Sequence, residues 1–335
     1  MIWIKDNQLK KWLLNPKGWF KKKELKPEGI VGLASTEHAV AMSYGVMVDG
    51  EMKIKLCEYV LLDPSDQVRH VKNWLQRHKL INADCHFVLN EEQYELQLLE
   101  TPKVQDSELR EAVRWRLKDL ISMPIEDVTL DIFPLPDDAY RGRMKMIYAV
   151  ACKKETIEAS LKFIADVGLT PSIINIPEMT LRNIAMYIPD MEFGTVALLK
   201  MNKSSGAMLM YSHNALYLTR QIDFGYESFA TQEGAFTLDN DVVVERLSLD
   251  LQRSLDYYES QLGKGVTSKI FVLPMEDESV NFEDELRNSL HAPILHFDCR
   301  EFLPLQESAN PSVSDQAFCL PVMGAVLRRE NHATN

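Results

Sequence analysis

The sequence predicts an α/β protein of two lobes, with a small α/β subdomain inserted in the first. Three observations carry this reading. At 335 residues the chain exceeds the size at which a single hydrophobic core keeps growing. A strand–turn–strand–turn–strand pattern opens at residue 29, and the same plan returns at residue 194, each time followed by helices. Between the two lies a helix–strand–strand–helix block at about residues 100–170. The boundaries follow: a basic arm at 1–27, a first lobe at 28–193 that contains the insert, and a second lobe at 194–335.

Apolar/polar alternation places the first strands at 30–34, 38–46 and 52–59, with Asp49-Gly50 as a two-residue hairpin turn. Residues 65–79 read as a helix with Val68, Val71, Trp74 and Leu75 on one face. "CHFVLN" and "YELQLLE" are strands. A helix is expected over 106–124, capped by Asp106 or Ser107, striped by Leu109, Val113, Leu117 and Leu120, and stopped by Pro124. "VTLDIFPL" and "KMIYAVAC" pair around a turn, and a helix follows that ends at Gly168. A further strand and helix span "IINIPEMTLRNIAMYIP".

The second set reads "GTVALLKMN", "SSGAMLMYS" and "ALYLTRQIDFG". The longest helix covers 241–263, with Leu247, Leu251, Leu255 and Tyr258 inward. "SKIFVLP" is a buried strand, "FEDELRNSL" a helix and "PILHFD" a strand. A polar loop at 304–316 leads to a closing helix, "FCLPVMGAVLRR". Two three-strand meanders, each covered by helices, are the plan of a duplicated actin-like (RNase H-like) fold.

Composition removes several function classes. With 46% hydrophobic and 26% charged residues, the chain is an ordinary globular protein. Its longest apolar runs fall far short of the roughly 20 residues that span a bilayer. The N-terminus lacks a signal peptide's apolar core, so a cytoplasmic location is expected. Five cysteines (Cys57, Cys85, Cys152, Cys299, Cys319) lie far apart without a CxxC pair, which argues for reduced thiols rather than a disulfide framework or zinc site. A net charge of −12 opposes nucleic-acid binding. That charge is uneven, because residues 1–23 hold seven lysines and one aspartate. Trp3, Lys10, Lys11, Trp12, Trp19, Lys21, Lys22 and Lys23 combine cations with interfacial aromatics. They suit an anionic membrane surface or a partner, or an arm packed on its own domain.

No protease triad, nucleophile elbow, Walker or dinucleotide motif is present. His70 and His78 lie on the same helix but two turns apart and beside lysines, which suits a solvated face, and His291 and His296 have no acidic partner at ligand spacing. No metal site is expected. What remains is a phosphate cradle made by two hairpin turns. Actin-like ATPases carry an acidic residue just before the first turn, where its carboxylate helps hold Mg²⁺. Here that place is Ala34, followed by Ser35 and Thr36. Lys200 stands where the second aspartate would be, and Asn202 replaces a glycine. Gly32, Ser204, Ser205 and Gly324 complete a degenerate nucleotide cleft. The nearby carboxylates in sequence are Glu37 and Glu192. No cofactor is expected, and ATP with Mg²⁺ is the alternative.

Three stretches carry a family resemblance: "SELREAVRWRLKDLISMPIEDVTLDIFPL" (107–135), "LSLDLQRSLDYYES" (247–260) and "PVMGAVLRR" (321–329). With the first hairpin, "VGLASTEHAVA", they make residues 28–329 resemble the PilM family of type IV pilus assembly proteins, especially its MshI branch from MSHA-pilus biogenesis. The chain is more distantly similar to the cytoplasmic domains of type II secretion GspL proteins. The resemblance implies an actin-like fold of two lobes, peripheral to the inner face of the inner membrane. It implies a bitopic PilN-like partner whose cytoplasmic tail lies between the first lobe and the insert, near Trp115, Ile121 and Pro124. Pilus motor ATPases are further implied partners. Family members that bind ATP have acidic residues and glycines in the phosphate turns and a Gly-Gly motif near the adenosine; this chain has neither. The expectation is therefore a scaffold and pseudo-ATPase, not an enzyme, with an active ATPase as the alternative.

Overall fold

The computed structural model describes residues 26–189, 191, 194–229, 240–277 and 282–328. The basic arm residues Trp3 through Lys23, and Glu192, lie outside the described residues.

In the first lobe, β1 (Ile30–Ser35), β2 (Ala39–Val48) and β3 (Glu51–Leu61) form the meander. Asp49 and Gly50 both take positive φ, 53° and 82°, the turn geometry that matches strand twist. Then come α1 (Pro64–His78), β4 (Asp84–Val88), β5 (Tyr94–Glu100) and α2 (Asp106–Leu117). They are followed by β6 (Val128–Pro134), β7 (Met146–Lys153), α3 (Lys154–Val167), β8 (Thr170–Asn175) and α4 (Pro177–Ala185). The main sheet has the order β3-β2-β1-β4-β8, antiparallel in the meander and parallel through β4 and β8.

The second lobe has β9 (Thr195–Met201), β10 (Gly206–Ser212), β11 (Ala215–Ile222), α5 (Asn240–Ser260) and β12 (Lys269–Val272). After these come α6 (Glu283–Ser289), β13 (Ile294–His296), α7 (Cys299–Phe302) and α8 (Val313–Val326). Its sheet order, β11-β10-β9-β12-β13, repeats the wiring of the first: a meander whose first strand takes a parallel neighbour. Leu247, Leu251, Leu255 and Tyr258 of α5 are buried against it.

A separate sheet, β5-β7-β6, carries α2 over a small core of Leu99, Val113, Leu117, Leu130, Ile147 and Ala149. This differs from the block read in the sequence. The sheet starts at Tyr94, and α3 buries Ile157, Ile164 and Val167 with Val71, Trp74 and Phe87 of the main lobe instead. The helix expected to reach residue 124 ends at Leu117, because Arg114 donates to the carbonyls of Ile125 (2.9 Å) and Val128 (3.2 Å) and folds the chain back. Leu120, read as part of the stripe, is 51% exposed.

Three other local readings change. His70 Nε2 lies 3.1 Å from Glu58, and His296 Nδ1 lies 3.0 Å from Glu283, so both have acidic neighbours from other elements. The "polar loop" at 304–316 is structured at both ends. Ile54 N–H donates to Pro304 O (3.0 Å) and Gln306 N–H to Ile54 O (2.9 Å), and α8 begins at Val313.

That crossing returns the chain from the second lobe to pack α8 on β1, β2 and α4. Gly32 and Gly324 make this approach possible. A Cβ on Gly32 would sit 2.2 Å from Val322 O, and one on Gly324 would sit 2.2 Å from Thr180 O. Both glycines therefore serve helix packing, which corrects their placement in the cleft.

Glu178, in the first turn of α4, is buried with Tyr94 OH donating to its Oε2 at 2.6 Å. Burial raises its pKa, with the Tyr94 hydrogen bond opposing. A raised carboxyl favours folding below its unfolded pKa and loses that contribution as pH rises through the folded value. Glu178→Gln is therefore expected to gain Tm on wild type between pH 5 and pH 8. A gap constant across that range contradicts the assignment.

Candidate functional site

The repeated wiring leaves a cleft of about 670 Å³ where the first strands of the two sheets end. Ala34, Thr36, Lys200, Asn202, Ser204 and Ser205 line it, so these six sequence-selected residues come together. Ser35 does not join them. Strand alternation turns it to the other face, where Oγ donates to Gln67 Oε1 at 2.7 Å.

The first turn is tied down from several sides. Thr36 N–H donates to Ala39 O (2.9 Å), Gln67 Nε2 to Thr36 O (2.9 Å), and Asn90 Nδ2 to Ser35 O (2.8 Å). The second turn is closed by Asn202 N–H on Ser205 O (2.7 Å), and Tyr226 N–H reaches Asn202 O (2.9 Å). Lys203 also lines the cleft and pairs with Glu227 at 3.2 Å.

The decisive contact comes from a residue that the sequence reading missed. Glu91 sits in a single 3₁₀ turn just after β4, on the first lobe. Its Oε1 accepts from Lys200 Nζ at 2.6 Å and its Oε2 from Asn202 Nδ2 at 2.9 Å, both on the second lobe. Burial opposes ionisation of Glu91, but the Lys200 charge and the hydrogen bonds from Lys200 and Asn202 outweigh it, holding the carboxyl below its usual value. A signal existed. β4 runs parallel to β1, pairing Ala34 with Val88, so the "NEE" after β4 opens into the same crevice.

At the far side of the cleft, Tyr59 and Phe318 stack with centroids 4.0 Å apart, and Tyr226 OH donates to Glu276 at 3.0 Å. Glu37 lines the cleft. Among the described residues, no group of three or more His, Cys, Asp or Glu is arranged to hold a metal ion. Ala34 offers no carboxylate at the first turn, the cation and amide of the second turn are matched by Glu91, and Glu92 and Glu276 line the cleft as well.

The three residues selected for a partner tail differ in exposure. Trp115 is 69% exposed on α2, Ile121 packs partly against the core of the small sheet, and Pro124 is exposed.

Two lobes of identical wiring around such a cleft define an actin-like (RNase H-like) fold. Residues 96–239 match the sequence model of the family described as type IV pilus assembly protein PilM. Among solved structures, the chain is similar to the "PilM-PilN type IV pilus biogenesis complex", with 18% identity and a TM-score of 0.69, covering 90% of this chain and 98% of that one. It is also similar to the cytoplasmic domain of EpsL, an inner-membrane component of the type II secretion system of Vibrio cholerae, with 14% identity and a TM-score of 0.48 over 90% and 94% of the two chains. A Bacteroides thetaiotaomicron protein with an actin-like ATPase fold aligns with 9% identity and a TM-score of 0.47 over 88% and 96%. No curated protein matches.

Proposed function

We propose that the chain is a PilM-like scaffold of a type IV pilus assembly platform, of the MshI (MSHA-biogenesis) type. It sits at the cytoplasmic face of the inner membrane, binds the cytoplasmic tail of a bitopic PilN-like protein, and works without nucleotide. The pilus role is supported by the PilM family match over 96–239 together with a fold shared along nearly the whole of both chains with the PilM of a PilM–PilN complex. The nucleotide-free reading is carried by one observation: Glu91 pairs with Lys200 and Asn202 across the cleft. No described helix is long and apolar enough to cross a membrane.

In this reading the tail lies between the main lobe and the β5-β7-β6 sheet, close to Trp115, Ile121 and Pro124. Pilus motor ATPases are the cytoplasmic components to which the tail is coupled. The arm at 1–23 adds membrane contact, so its deletion weakens binding to anionic liposomes; unchanged binding removes that part. The main test is calorimetric titration with a synthetic tail peptide of a PilN-like protein. One-to-one binding, unaltered by Mg-ATP, is expected; no binding overturns the scaffold reading. A second reading, an active ATP-binding ATPase of the same machine, draws on the cleft volume of about 670 Å³ beside the Glu91 contact. That falls within the roughly 300–1,000 Å³ of small-molecule sites.

A further inference from the structure

The small sheet touches both lobes. One of its faces buries Tyr94, Val150 and Cys152 with Val71, Trp74 and Phe87 of the first lobe. The connection between β6 and β7, residues 135–145, reaches the other way. Its Leu135 and Ala139 are buried in one cluster with Leu216, Tyr217 and Tyr258 of the second lobe. Polar contacts surround that anchor. Tyr217 OH donates to Asp138 Oδ1 at 2.8 Å, and Lys264 Nζ, 4.3 Å above the Tyr217 ring, donates to Asp138 Oδ2. The hydroxyls of Tyr140 and Tyr257 lie 2.9 Å apart, with the Arg220 guanidinium 5.2 Å over the Tyr257 ring.

These contacts hold the backbone in an unfavourable shape. Tyr140, Arg141 and Gly142 take φ of 53°, 55° and 67° in succession. The left-handed region suits glycine, but for Tyr and Arg it is costly and persists only where the surroundings impose it. Gly263 belongs to those surroundings, since a Cβ there would lie 2.2 Å from Arg141 Cγ.

Strand register places the grip. Leu216 of β11 pairs with Tyr211 of β10, which pairs with Val196 of β9, whereas Lys200 of β9 pairs with Ala207. Tyr217 therefore sits toward the end of the second sheet that is remote from the cleft turn at 202–205. At the cleft end, Glu91 holds Lys200 just before the chain enters the small sheet. One tie lies at the entry to the small sheet and the other at its tip, and they grip opposite ends of the second sheet.

We propose that the 135–145 turn is a strained latch on the second lobe, and that its release lets the lobes rotate apart and opens the cleft. With both ties made, the second lobe is fixed at two separated points. Without the latch, the Glu91 contact and the α8 crossing act as a hinge. The left-handed residues favour release once their partners are lost, because the backbone then relaxes to ordinary conformations.

The experiment puts nitroxide labels on Glu37→Cys and Ser204→Cys, which line the cleft from the first and second lobes. It uses the full chain with Cys57→Ser, since the other four cysteines are buried. Pulsed electron paramagnetic resonance reads the separation, and near-ultraviolet circular dichroism checks that each variant is folded. The parent gives one distance. Asp138→Asn combined with Tyr140→Phe keeps side-chain size and adds a second, longer distance. Lys264→Met cuts the latch from the second lobe's side and adds the same longer distance, so it carries the test if the double variant does not fold. Asp137→Asn is the control, because its ion pair with Lys145 at 3.3 Å stays within the turn, and it keeps the single distance. One unchanged distance in Lys264→Met, or the longer distance appearing equally in Asp137→Asn, overturns the proposal.

Discussion

Gly324→Val is expected to cost about 3–5 kcal/mol and to lower Tm by roughly 10 °C. The position faces Thr180 O, which a Cβ would approach to 2.2 Å, and Asn183 Nδ2 donates to Gly324 O at 2.8 Å. The obstacle is the backbone of α4, not the end of a flexible side chain. The new atoms can be housed only by moving α8 away from both α4 and the first sheet. Since α8 is the last link of the crossing that returns from the second lobe, the loss falls on the packing of the lobes as well as on local structure. Gly265→Ala is the control, because nothing lies within 4 Å of a Cβ there, and a change within about 0.5 kcal/mol is expected. Equal melting of the two variants contradicts this role for the glycine.

Lys200→Met should have the next largest effect, about 1–2 kcal/mol at neutral pH. The side chains of Lys200 and Glu91 are 19% and 28% exposed, so the loss stays below that of breaking a fully buried pair. The effect has a pH signature. A carboxyl held below its ordinary value contributes stability that is complete above its unfolded pKa and is lost as pH falls through the folded one. The gap between wild type and Lys200→Met should therefore narrow on acidification below about pH 4.5. Glu91→Gln added to Lys200→Met should recover part of the loss, because it removes the orphaned charge. Strictly additive single and double variants contradict the pairing.

Legibility followed the period of each pattern. The two meanders were readable because strand alternation and turn residues such as Asp49-Gly50 are local signals, and because the second copy confirmed the first. The stripe of α5 was readable for the same reason. The end of α2 was not, since Leu120 continues the helical spacing and only Arg114 bonding to Ile125 and Val128 fixes where the chain leaves it. Gly32 and Gly324 were read as cleft residues because a glycine in sequence does not say which backbone approaches it. In the cleft, the turns were legible but their electrostatics were not. Lys200 stood out as a departure from the actin-like pattern, whereas its partner is 109 positions away on the other lobe.

Thermal unfolding of the full chain with and without millimolar Mg-ATP tests the central claim most directly. If Glu91 holds Lys200 and Asn202 in place of a nucleotide, Tm does not move. Ligand at about 100 times its Kd would add roughly 2.7 kcal/mol, a rise of about 5–10 °C for lobes of this size. A rise of that order in wild type contradicts the nucleotide-free scaffold and makes Lys200 a nucleotide ligand instead.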